Sequence, residues 1–349
     1  MMTTGGKLTA LFDRFAARPD TGPMSFALSS PGRGWEWSYE SEVEPKPYFA
    51  ASITKLYTAA VIMQLRHQGA VSLADPFGTH LEADLIDGLN TFRGTDHSHR
   101  ITVRDLLAHS SGVAGYFDQK RAGGGTVVGE VLGQDRAWTL EEAIRIAKQD
   151  MSPHFAPGTP GKAFYSDTNY HLLGRIIENV TGNSWERAVT ERIILPLGLT
   201  ATWPFSREVV GRYDEVAAIL NGPAPVRIPL AMASVRAHGG LVSTASDGII
   251  FLRAVLGGIL FPSTYLHEMQ EDWRRIFFPL RYGLGIMRYG MPRLLSGPGP
   301  REFLGHSGSS GAVLFYAPSH DLYVSGTVNQ LANRSLVYRL MSRAAALAA

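Results

Sequence analysis

Ser52-Ile53-Thr54-Lys55-Leu56-Tyr57-Thr58-Ala59-Ala60-Val61-Ile62-Met63-Gln64-Leu65-Arg66-His67 is the stretch around which the chain is organised. Apolar residues fall on nearly every face of a 3.6-residue period, so the segment reads as a helix buried almost all round. A lysine inside it stands out, because the chain has only six: Lys7, Lys46, Lys55, Lys120, Lys148 and Lys162. Positions i and i+3 share a helix face, which lets the Lys55 amine reach the Ser52 hydroxyl one turn away. Ser52 falls in the first turn, where free backbone N–H groups and the helix dipole favour developing negative charge. Apolar neighbours desolvate Lys55, which lowers an amine's pKa and suits it to act as a base. The pair is a candidate nucleophile and base. Taken alone it is a weak signal: 26 serines and six lysines give about 0.45 such pairs by chance. A helix-capping serine beside an unrelated lysine fits that pair equally well.

Outward from this helix, strands flank a helical middle. Trp35, Trp37 and Tyr39 alternate with Glu36, Ser38 and Glu40, a period-2 strand with one face buried. Met24 to Ser29 is its partner through a hairpin at Pro31-Gly32-Arg33-Gly34. Lys7 to Arg18 forms a short amphipathic helix. The middle carries helices at Thr102 to His109, Thr139 to Asp150, Thr168 to Val180 and Ser184 to Leu195, joined by glycine- and proline-rich loops. A helix at Thr244 to Leu256 follows, then strands at Tyr282 to Tyr289, Ala312 to Tyr316 and Leu322 to Val328. Asn333 is placed to cap a closing helix. The pattern predicts an α+β fold: one antiparallel sheet built from both chain ends, flanked by helices, with a mostly helical insertion. Residues 1–349 are expected to form one domain, with approximately 1–75 and 235–349 in the sheet-containing part and approximately 76–234 in the insertion.

Composition narrows the function. The 349 residues carry 33 basic and 31 acidic side chains, a net charge of +2, too small to point to a nucleic-acid partner. The absence of cysteine excludes thiol catalysis, disulfides and Cys-ligated metals. No apolar run reads as a signal peptide or membrane span, so a cytoplasmic protein with no membrane partner is expected. Asp96-His97-Ser98-His99 is the sole histidine cluster and lacks a third zinc ligand close by; it reads as a polar surface loop. No metal and no cofactor are expected. Gly305-His306-Ser307-Gly308-Ser309 approaches the G-x-S-x-G elbow of α/β hydrolases but lacks the last glycine and precedes a strand.

Two further segments change the weight of Ser52 and Lys55. Phe164-Tyr165-Ser166-Asp167-Thr168-Asn169-Tyr170 lies between a Pro/Gly loop and a helix, and Leu304-Gly305-His306-Ser307-Gly308-Ser309 leads into a strand. In this order the chain resembles the penicillin-recognising serine hydrolases, in the branch with class C β-lactamases, D-peptidases and β-lactamase-like esterases. Their S-x-x-K, Y-x-N and K-T-G or H-x-G motifs correspond to Ser52/Lys55, Tyr165/Asp167 and His306/Gly308. Leu106-Leu107-Ala108-His109-Ser110-Ser111-Gly112 resembles the loop after the first motif. The resemblance spans roughly residues 20 to 345.

The resemblance implies a β-lactamase/penicillin-binding-protein-like fold and an acyl-enzyme mechanism. Ser52 would attack a carbonyl, with Lys55 and Tyr165 sharing removal of its proton. The N–H groups of Ser52 and Ser309 would stabilise the oxyanion. Tyr165 could instead be a core aromatic, and His306 a brace for a glycine turn. Asp167 stands where the family usually has asparagine. It reads as a helix cap and as an acceptor-only carboxylate that holds the Lys55 charge, two compatible roles. His306 replaces a lysine, and an imidazole is a poorer anchor for a substrate carboxylate than an ammonium. The expected substrate is a small ester or amide. A D-stereospecific peptidase or amidase with weak β-lactam hydrolysis is the alternative enzyme, and a non-hydrolytic binding or scaffolding module the alternative class.

Overall fold

The computed structural model describes residues 2–291 and 299–349. In chain order its principal strands are β1 (Ser25–Ser30), β2 (Trp35–Glu40), β3 (Tyr48–Phe49), β4 (Trp203–Pro204), β5 (Leu241–Ser243), β6 (Arg274–Phe277), β7 (Leu280–Tyr282), β8 (Met287–Gly290), β9 (Glu302–Gly308), β10 (Ala312–Ala317) and β11 (Leu322–Thr327). The helices used below are α1 (Thr4–Ala16), α2 (Thr54–His67), α3 (Asp167–Thr181), α4 (Ala245–Leu256) and α5 (Ser335–Ala348).

The expected α+β arrangement is present. Eight strands form one antiparallel sheet in the order β6-β7-β8-β9-β10-β11-β1-β2, so the chain's two ends meet where β1 pairs with β11. Alternation in β2 does what its sequence predicts. Trp37 and Tyr39 turn toward α1, where the Phe12 ring lies 4.8 Å from Trp37 and 5.1 Å from Tyr39. Helix α1 packs against α5 beside the sheet, while α4 packs on β1, β10 and β11. Helix α2 is buried along its length except at Gln64, Arg66 and His67, as its all-round apolar pattern requires. No helix among the described residues is long and apolar enough to cross a membrane.

Several details depart from the sequence reading. Leu304 to Ser309, read as leading into a strand, lies for the most part in one: Glu302–Gly308 is β9, paired with β8 and β10. Tyr282 to Tyr289 is not one strand but a hairpin, β7 paired with β8 through Tyr282↔Met287. The break falls at Gly283-Leu284-Gly285. Gly285 has φ +75°, and a Cβ there would stand 2.3 Å from that of Ala59 on α2. The chain must turn there, and only glycine fits against the helix. The preceding strand β6 carries no alternation strong enough to separate it from a loop. Asn333, read as the cap of the last helix, does not cap it: Arg334 holds that position without a side-chain bond. The Asn333 amide instead donates to Asp20 at 3.1 Å, and its oxygen accepts from the Ser335 hydroxyl at 3.0 Å.

Candidate active site

Ser52 lies in a short 3-10 turn, Ala51–Ile53, that runs directly into α2. Ala51 before it has φ +47°, a left-handed conformation that costs a non-glycine residue energy and sharpens the turn. Between Tyr48 and Met63, Ser52 is the one residue that is not buried. The turn is clamped from two sides. On one, β3 pairs with β5, and the Ala50 N–H donates to the Leu241 carbonyl at 2.9 Å. On the other, the end of β9 lies so close that a Cβ on Gly308 would stand 2.5 Å from the Ala50 carbonyl oxygen. Gly308 is therefore glycine for contact, and it brings Ser309 beside the Ser52 turn. Among the described residues the Ser52 and Ser309 N–H groups donate to no protein acceptor.

Lys55 is wholly buried, and its ammonium has three acceptors: Ser52 Oγ at 3.1 Å, Asp167 Oδ1 at 2.6 Å and the His238 carbonyl at 2.8 Å. An ammonium has three N–H donors, so each is used. Burial pulls the Lys55 amine below its ordinary value, and the adjacent Asp167 carboxylate limits that fall. Burial would raise the Asp167 carboxyl, but Lys55 and then His238 outweigh it and hold the group far below the usual carboxylate range. The pair is an ion pair at rest. Asp167 does not cap α3; Ser166 occupies the cap position, and Asp167 is the first helical residue with its side chain turned inward. Of its two readings, the structure places it in the carboxylate one.

Tyr165 precedes α3, with its ring centre 5.0 Å from Lys55 Nζ. Burial, reinforced by Asp167, pushes its phenol well above the ordinary value, while the Ser52 hydroxyl opposes the rise. At rest it is a neutral acid. His109, in the loop singled out after the first motif, packs its ring tilted against Tyr165 at 4.5 Å and accepts the Ser166 N–H at Nδ1, 3.2 Å. It fixes the start of α3 against the Tyr165 ring.

His306 is wholly buried in β9. Its Nδ1 lies 2.9 Å from the Ser307 N–H and 2.8 Å from the Ser307 carbonyl oxygen. Nε2 lies 2.9 Å from the Tyr282 hydroxyl. Tyr282 passes its own proton to Tyr170 at 3.1 Å, and Tyr170 donates to the Leu107 carbonyl at 3.1 Å. Burial, with Lys55 nearby, pulls His306 down to about 3, so it is uncharged at neutral pH. The period-2 alternation of β9 sends Ser307 to the opposite face, where it meets Met287 and Tyr338 of α5. Among the described residues Ser307 has no base beside it, which removes the elbow reading.

The three motif segments thus converge on Ser52. Two residues that sequence reasoning missed join them, His238 and Tyr116. Neither lies in a periodic pattern; His238 reaches Lys55 because β5 docks beside β3. The model of the family described as Beta-lactamase matches residues 44–348. The chain belongs to the beta-lactamase family. This beta-lactamase-family chain is 30% identical over 242 residues to a putative D-alanyl-D-alanine carboxypeptidase of Escherichia coli (strain K12), covering 60% of this chain and 51% of that one. It spans about half the length of the curated relatives it matches. A D-stereospecific amidohydrolase from Streptomyces sp. superposes with a TM-score of 0.71 at 26% identity, covering 97% of this chain and 98% of that one. EstCE1, a hydrolase with promiscuous acyltransferase activity, shares the fold with a TM-score of 0.79 at 19% identity over 99% and 98% of the two chains.

Proposed function

We propose that this protein is a serine hydrolase that opens small esters or amides through an acyl-enzyme on Ser52. The observation that carries the reading is the Lys55 ammonium 3.1 Å from the hydroxyl of the one accessible residue in its segment. Turnover begins from the fraction of molecules in which Lys55 has lost a proton. Lys55 Nζ takes the Ser52 proton as Oγ bonds to the substrate carbonyl carbon, and the Ser52 and Ser309 N–H groups receive the developing oxyanion. As the carbonyl re-forms, the bond to the leaving group breaks. Tyr165, kept protonated by its surroundings, gives that group its proton and is reprotonated from Lys55. Water then attacks the acyl-enzyme along the reverse proton path.

The uncharged, enclosed His306 supports neutral acyl substrates over those ending in a free carboxylate, since it offers no cation to such a group. A second reading, a D-amino-acid amidase, is favoured by the full-length likeness to the amidohydrolase. One experiment addresses both. Wild type and Ser52→Ala are assayed on p-nitrophenyl esters, D- and L-amino-acid amides and a chromogenic cephalosporin, with fluorophosphonate labelling mapped by peptide mass. A single adduct on the Ser52 peptide and loss of all turnover in Ser52→Ala support the hydrolase; labelling elsewhere overturns it. A higher kcat/KM on D-amides than on every ester selects the second reading.

A further inference from the structure

His238 touches the Lys55–Asp167 pair at both of its members. Its carbonyl accepts from Nζ at 2.8 Å, and its ring Nδ1 lies 3.3 Å from Asp167 Oδ1, the same oxygen that accepts from Lys55 at 2.6 Å. The three residues close a ring of contacts wholly inside the protein. On its far side, His238 Nε2 stands 2.7 Å from the Tyr116 hydroxyl, and that oxygen accepts the Trp138 indole N–H at 2.9 Å. An indole only donates, so the Tyr116 proton points to the remaining neighbour, His238 Nε2. A nitrogen that accepts carries no proton. Burial pulls His238 below its ordinary value, so the neutral ring holds its proton on Nδ1, the nitrogen 3.3 Å from Asp167 Oδ1, and Trp138 fixes this tautomer through two successive hydrogen bonds.

We propose that His238 is a positioning residue for the Lys55 base: its Nδ1–H takes up part of the Asp167 charge and holds that carboxylate in line with Lys55. Asp167 stands where this family usually has asparagine, and a bare carboxylate there would bind the Lys55 proton too firmly for a base. His238 moderates that attraction without removing it. The role rests on the serine-hydrolase reading; the tautomer does not.

The groups that face this pair are accounted for. His238 is packed against Asp167, Tyr116 and His171, whose ring centre lies 5.1 Å away, and His171 is held neutral by burial. Lys55 faces Asp167, Tyr165 and Tyr170 directly. His109, His306 and Asp118 act on it at longer range. Both histidines are pulled down by burial, and Asp118 is raised to about 6, so its titration is separated by using only data above pH 7.

The test has two parts. First, 15N-imidazole NMR of the full chain, with His238 assigned by its loss in His238→Asn, reads the tautomer directly. A neutral ring protonated on Nδ1 is expected, and an Nε2–H ring or an imidazolium at pH 7.5 overturns the inference. Second, the acidic limb of kcat/KM is compared in wild type, His238→Ala and His238→Asn. Losing the donor leaves Lys55 the full carboxylate charge, so His238→Ala should move the limb upward by about 0.5 on the pH scale or more. The asparagine amide restores an N–H toward Asp167 and should return the limb toward wild type. In an Asp167→Asn background, His238→Ala should leave the limb unmoved. A purely structural His238 would lower kcat and Tm in every background and move no limb, which overturns the proposal. Should His238→Ala fail to fold, Trp138→Phe, which frees Tyr116 to turn, decides by NMR: a retained Nδ1 proton locked as before overturns the fixing role. Fluorophosphonate labelling of Ser52 in wild type distinguishes failure of the hydrolase reading from failure of this one.

Discussion

Lys55 Nζ and Asp167 Oδ1 stand 2.6 Å apart with Lys55 sealed from solvent and Asp167 nearly so. A base so close to a carboxylate holds its proton more tightly than it would beside an amide. Asp167→Asn removes that charge, lowers the Lys55 pKa and frees the base at lower pH. The acidic limb of kcat/KM on a p-nitrophenyl ester should therefore shift to lower pH. The new amide also offers an N–H donor, so turnover of amides should rise relative to esters. Asp167→Ala leaves an unpaired charge in the interior and should cost about 3–5 kcal/mol in urea unfolding. An unmoved limb in Asp167→Asn would detach the pair from catalysis.

Lys55→Ala and Tyr165→Phe should each lower kcat by about 10²–10⁴-fold, the range for losing general acid–base catalysis. Because the two move one proton in turn, the double variant should be far less than multiplicatively worse. Single-turnover release of p-nitrophenol measures acylation separately. A fully multiplicative loss would show that the residues act on independent steps.

Gly308→Ala tests the contact between β9 and the Ser52 turn. The added methyl meets the Ala50 carbonyl at 2.5 Å, so strand and turn must separate. A displacement of this size should reduce kcat/KM by about 10²-fold, with far-UV circular dichroism unchanged. Gly290→Ala, where no described residue lies within 4 Å of the new Cβ, is the matched control and should retain near wild-type rates. Equal activity in both variants would remove Gly308 from the site's construction.

How much of this could be read from the chain depended on the range of the signal. The Ser52–Lys55 relation is local, three residues along a helix, and the Trp35-Trp37-Tyr39 alternation is equally local; both are legible. Tyr165, Asp167, His306 and Gly308 became legible through order and spacing of motifs, which carry long-range information that periodicity lacks. His238 was not legible. Its role depends on β5 pairing with β3 across nearly two hundred residues, and a lone histidine before two glycines has no pattern of its own. The β7–β8 hairpin was missed for the opposite reason: apolar residues run through the turn, so only the close approach of α2 to Gly285 shows why the chain reverses there.

Acid should destabilise this fold in part through His306. Its unfolded-state value is near 6.5, while burial holds it at about 3 in the native chain. Between those values the unfolded state binds a proton that the native state does not, so stability is lost as pH falls through this window. From pH 8 to pH 5 the contribution is about 2 kcal/mol. Urea unfolding at both values, in wild type and His306→Gln, should show wild type losing that much more than the variant. Equal losses would mean the native histidine takes up its proton freely.

The pairing of Ser25 with Thr327 in β1 and β11 also governs when the protein becomes chemically competent. Translation proceeds at about 5–20 residues per second, so a nascent chain presents Ser52 and Lys55 tens of seconds before Gly308 and Ser309 have been made. Through that interval α2 has no β9 beside its turn, and the N–H group of Ser309 does not yet exist. The nucleophile is laid down early and armed late. On the proposed mechanism, a growing chain on the ribosome should react with acylating compounds only once the last strands zip against the first.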